Sequence, residues 1–86
     1  MKHATETTLK KYEPMLSELD KIAKLKKKKL GVYYLKSKAF LHFHEQEDDL
    51  FADVRLNPPD FDRVKVTTNQ EQKALVRDVK EHIGAI

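Results

Sequence analysis

Residues 39–56, AFLHFHEQEDDLFADVRL, alternate apolar and polar side chains on both sides of an acidic centre. A period of two fits paired β-strands rather than a helix, because a pleated strand sends successive side chains to opposite faces. The segment reads as a β-hairpin with strands over 39–45 and 50–56 and a loop over 46–49. That loop sets a register in which Glu45 faces Leu50, Phe43 faces Ala52, His42 faces Asp53 and Leu41 faces Val54. One face then gathers Leu41, Phe43, Ala52, Val54 and Leu56, a natural seat for helices. The other gathers Phe40, His42, His44, Phe51, Asp53 and Arg55, and a turn at Ser37-Lys38 adds Tyr33 and Leu35 to it. A one-residue slip would exchange the faces.

The flanks supply the rest of a domain. Pro14 suits the first turn of a helix, and Met15, Leu16, Leu19, Ile22 and Ala23 follow at helical spacing. The periodicity predicts a helix of about fourteen residues. It puts Lys26, Lys27, Lys28 and Lys29 in the last turn, where cations suit the helix dipole, and Gly31 at the stop. From Val32 the period changes to two, giving a strand over 32–35. Pro58 and Pro59 break the chain after the hairpin, and 63–67 forms a fourth strand. Thr68 and Glu71 have capping-box spacing ahead of a helix with Leu75, Val76, Val79 and Ile83 as its stripe, ended by Gly84. The order is α-β-β-β-β-α: an α+β fold with a four-stranded antiparallel meander packed against N- and C-terminal helices. Residues 1–12 read as a flexible segment ahead of a single domain over 13–86.

Composition removes several classes of function. The chain has no cysteine, which excludes disulfides, thiolate metal sites and a cysteine nucleophile. No apolar run approaches the ~20 residues of a membrane span. The first residues, MKHATETTLKKYEP, hold no apolar signal core, so the expectation is a cytoplasmic protein with no membrane association. With only Gly31 and Gly84, a glycine-rich phosphate loop cannot be built. No serine or threonine sits in a nucleophile motif. Charge is uneven: residues 1–38 carry eleven lysines and four acids, and residues 39–86 carry six cations and ten acids. A basic arm for an acidic partner, or two halves that attract each other, both fit that split.

Three surfaces are candidates for function. The face of Tyr33, Leu35, Phe40, His42, His44, Phe51, Asp53 and Arg55 would be too aromatic to stand idle in water, which points to a protein partner or a homodimer. On that face His42, His44 and Asp53 could hold zinc or ferrous iron, or could move a proton, with Asp53 setting the tautomer of His42. The plain alternative is a cross-strand His–Asp pair. Lys24, Lys26, Lys27, Lys28, Lys29, Lys36 and Lys38 could bind phosphates while sheet aromatics stack the bases of a single-stranded nucleic acid. Arginine is absent from this basic half, and a solvated helix end is its plain alternative. The acids Glu45, Glu47, Asp48 and Asp49 read as a solvated hairpin tip.

The stretch GVYYLKSKAFLHFHEQEDDLFADVRL resembles a group of short, uncharacterised bacterial proteins that share F-L-H-F-H-E followed by L-F-A-D-V. Thr68, Glu71 and Gln72 also match, so the resemblance spans about residues 30–83. It implies a bacterial, cytoplasmic protein and carries no activity or site residues. The reading that results is a non-enzymatic binding module using its open sheet face, with the metal or acid–base site and the nucleic-acid surface as alternatives. No resident cofactor is expected unless the His42–His44–Asp53 group holds zinc.

Overall fold

The computed structural model describes residues 1–85. Its elements run β1 (Lys2–His3), α1 (Glu6–Lys10), α2 (Glu13–Asp20), β2 (Leu25–Lys29), β3 (Val32–Leu35), β4 (Lys38–Gln46), β5 (Asp49–Asn57), β6 (Asp60–Lys65) and α3 (Asn69–Gly84). The fold is α+β with an antiparallel sheet, but the sheet has six strands rather than four. Its order is β2-β3-β4-β5-β6, and β1 pairs with β4 off that path. β3 pairs with β4 only as far as Leu41, and β1 takes the same edge at His44 and Glu45. Helices α2 and α3 pack on each other and against one face of the sheet.

Residues 21–30 do not continue the helix that their spacing predicts. Helix α2 stops at Asp20, and the lysine run is an edge strand instead of a helix end. In a helix, 26–29 with Lys24 would crowd like charges at neighbouring surface positions. On a strand the lysines alternate between faces, and lysine is a residue that protects an exposed edge from further pairing. Leu25 supplies the one buried side chain of β2, opposite Leu35. Gly31 ends no helix; it turns the chain from β2 to β3 at φ 76°. A Cβ there would lie 2.7 Å from Leu9 Cδ1, so glycine is required both by conformation and by space.

That contact also fixes the chain's beginning. Residues 1–12, read from sequence as a fraying segment, carry β1 and α1, with Leu9 buried in the core. The Thr5 side chain caps α1, and the Thr5 N–H donates to Glu45 Oε2 at 2.9 Å.

The turn before the hairpin also differs from the expected one. It falls at Lys36-Ser37, both with positive φ, and pairs Leu35 with Lys38. That is one residue earlier than a turn at Ser37-Lys38, a change that moves cross-strand partners by two and by itself leaves the faces as assigned. A bulge at Phe40, between the Tyr34–Ala39 and Tyr33–Leu41 pairs, adds the odd residue that sends Tyr33 and Leu35 to the helix side, and Phe40 turns inward with them. Its ring stacks on His82 of α3 with centroids 5.6 Å apart. The Tyr33 hydroxyl donates to Asp20 Oδ1 at 2.6 Å, tying β3 to the end of α2. Burial, then that hydrogen bond, push the Tyr33 phenol well above the ordinary tyrosine range.

The C-terminal helix begins as the sequence predicts. Thr68 caps it, and Glu71 completes the capping box by accepting from the Thr68 N–H at 2.9 Å. Leu75, Val76, Val79 and Ile83 are buried against the sheet, and the helix includes Gly84.

Candidate functional site

The hairpin register is the predicted one: Leu41–Val54, His42–Asp53, Phe43–Ala52 and Glu45–Leu50 are cross-strand pairs. The loop is shorter, because Gln46 and Asp49 also pair and only Glu47-Asp48 remain as the turn. Removing two residues from a loop leaves side-chain parity unchanged, so the faces stay as assigned. Leu41, Phe43, Ala52 and Val54 are buried under the helices. His42, His44, Phe51, Asp53 and Arg55 share the open face. Tyr33, Leu35 and Phe40, assigned to that face from sequence, lie in the core instead.

Asp53 is the centre of the open face and is buried. Directly opposite it on β6 stands Arg63, whose Nε donates to Oδ1 at 2.7 Å and whose Nη2 donates to Oδ2 at 2.8 Å. This two-point pair is the strong geometry for a guanidinium and a carboxylate. Two imidazoles approach the same Oδ2: His42 Nε2 at 3.2 Å and His44 Nδ1 at 3.0 Å. His44 Nδ1 is buried and, despite its distance, lies off the line a hydrogen bond needs. The Arg63 hydrogen bonds, reinforced by its charge and by the two histidines, hold the Asp53 carboxyl below the usual carboxylate range against burial. Burial pushes the His44 imidazole down; Asp53 opposes this, while His3, His42 and Arg63 add to it.

Further groups complete the face. His3 on β1 lies beside His44, ring centroids 4.5 Å apart. Phe61 on β6 meets the His42 ring edge-on at 5.2 Å, and the Arg55 guanidinium sits 4.3 Å above the Phe61 ring. Lys26 pairs with Tyr34, and Lys28 Nζ lies 5.0 Å over the Tyr34 ring. Lys27 points the other way and approaches Asp20 at 3.5 Å. Lys29 ends β2, while Lys36 and Lys38 are exposed at the β3–β4 turn. Between the two strands that share the edge of β4 runs a groove of about 330 Å³, lined by His3, Leu30, Val32, Tyr34, Ala39 and His42 among others. The lysine run is thus divided: Lys26 and Lys28 join the open face, and Lys27 does not.

Sequence reasoning misses His3, Tyr34, Phe61 and Arg63. Arg63 was within reach: it opens the fourth strand read from the sequence, but its pairing with Asp53 follows only once the register across the proline turn is fixed. His3 carries no readable signal, since β1 is two residues long. The acidic tip is partly tied down, with Glu45 near Lys2 at 3.6 Å and Asp49 near Lys65 at 3.6 Å. No helix among the described residues is long and apolar enough to cross a membrane. No protein-family model, curated protein or solved structure matches this chain.

Proposed function

We propose that this protein is a non-enzymatic binding module whose open sheet face takes single-stranded nucleic acid. The observation that carries the reading is the composition of that face. Tyr34, Phe51 and Phe61 stand half-buried there among Lys26, Lys28, Arg55, Arg63 and Lys65. Its two acids, Asp49 and Asp53, are each paired with a cation of the same face. Rings held by a rigid sheet can stack bases of any sequence, and the surrounding cations attract the phosphates and release counterions.

Tyr33, Leu35 and Phe40 belong to the core, which leaves the open face with less apolar surface for a protein partner or a twin subunit to cover. Met1 and Val64 are the exposed large hydrophobic residues among those described, and Val64 pairs with Ala52 on the opposite side of the sheet. What remains open is basic and aromatic, which suits a polyanion with stackable rings better than an apolar protein surface.

Fluorescence anisotropy with a fluorescein-labelled single strand of about ten nucleotides tests the reading, a length within the range of sheet-based sites. Binding should weaken as salt rises, with a slope of roughly −0.7 for each phosphate neutralised. Tyr34→Ala or Phe61→Ala should weaken it by about fivefold or more, as loss of a stacked base does. An affinity indifferent to salt, or unaltered when Lys26 and Lys28 become Gln, sinks the proposal.

A further inference from the structure

We propose that His42 Nε2, His44 Nδ1 and Asp53 Oδ2 form a three-ligand site for a divalent transition-metal ion of the zinc class. Each of the three residues offers a donor atom within 4.8 Å of those of the other two. Asp53 Oδ2 is already 3.2 Å from one ring nitrogen and 3.0 Å from the other. Around a tetrahedral ion with bonds of about 2.0 Å, adjacent donors stand roughly 3.3 Å apart, so those two spacings need little adjustment. Two imidazoles with one carboxylate favour zinc, cobalt or nickel over magnesium or calcium, which take oxygen donors. Three protein ligands leave a fourth position for water.

The unpartnered nitrogen is the independent sign. A buried ring nitrogen without a hydrogen bond, set against an anionic oxygen, is uncommon and calls for a cause. A cation between the two atoms supplies one, because a metal follows the nitrogen lone pair and not the line from nitrogen to oxygen. The donors stand on the paired strands β4 and β5, so no loop must close to assemble them.

Arg63 sets the condition for binding. Its Nη2 occupies Oδ2 and must withdraw before an ion can share that oxygen. The side chain is 48% exposed, so it has room to move. Its Nε, on Oδ1, can stay and hold the carboxylate in place, as outer partners of metal ligands do. The guanidinium charge still opposes the ion. A site of this kind binds more weakly than its donor set alone would, and loss of Arg63 strengthens it.

The test is a titration of the full chain with zinc chloride followed by calorimetry, repeated with cobalt to read coordination from its visible absorption. One equivalent should bind in the micromolar range, with the intense cobalt bands of a four-coordinate ion. His42→Ala and His44→Ala should each weaken zinc by about tenfold or more, and His44→Gln serves if His44→Ala does not fold. Arg63→Gln should tighten it severalfold, an effect that a merely structural ion pair would not give. No binding at 100-fold excess over the protein overturns the proposal. So does binding that survives His44→Ala and disappears in His3→Ala, which would put the ion at Met1-Lys2-His3 instead. Either result leaves nucleic-acid binding untouched, since that depends on Tyr34, Phe61 and the lysines.

Discussion

Asp53 gathers a guanidinium and two imidazoles around one carboxylate, and it does so from a strand that is buried on its other side. Asp53→Asn keeps the shape and removes the charge. It should lower stability by about 1–3 kcal/mol, the scale of a charged hydrogen-bonded pair, read as a drop in the urea midpoint. Tyr33 is the matching case on the helix side. Tyr33→Phe loses the hydrogen bond to Asp20 and should cost about 1 kcal/mol. Because the folded state raises the Tyr33 pKa, the neutral phenol is the form the fold prefers. Its contribution is complete below the ordinary tyrosine value of about 10 and is lost as pH climbs beyond it. The stability gap between the native chain and Tyr33→Phe should therefore narrow above that pH. The sequence made His42, His44 and Asp53 legible as neighbours, since period-two alternation and an acidic turn decide a hairpin register. Arg63 stayed hidden because a bulge and two prolines intervene before its strand reaches Asp53.

At the scale of elements, turns decide more than propensity does. Lys36 at φ 53° and Ser37 at φ 69° occupy a left-handed region that suits Asn and Gly. Lys36→Asn with Ser37→Gly should raise stability by about 0.5–1 kcal/mol and leave the register unchanged, visible as a higher thermal midpoint. The absence of Asn and Gly there is also why the turn is misread by one residue, while Tyr33 and Leu35 are assigned to the wrong face because nothing in the sequence marks the bulge at Phe40. The lysine run shows the opposite failure. Helical spacing of Met15, Leu16 and Leu19 is real and ends at Asp20, but Ile22 and Ala23 prolong the pattern by chance. Tertiary pairing of Leu25 with Leu35 then claims the lysines for the sheet. Helix α3 is legible throughout, because cap and stripe agree. Thr68→Ala should cost about 1 kcal/mol in the same melt.

Taken whole, the molecule closes its core with its first dozen residues. Leu9 fills the space above Gly31 and Phe43, so Leu9→Ala should cost about 2–4 kcal/mol and loosen the β2–β3 turn with it, seen as faster amide exchange at 29–33. Nothing in a polar, weakly patterned opening announces that role, since one leucine carries it. The two residues of β1 have a practical consequence too. They cover the backbone of β4 beyond the reach of β3, and they do so at the rim of the histidine face. An affinity handle fused ahead of Lys2 would compete for that strip or peel it away, leaving a bare strand for neighbouring molecules to grip. A polyhistidine handle there would also sequester the very ions a titration is meant to count. The purification handle belongs after α3, at the far end of the chain.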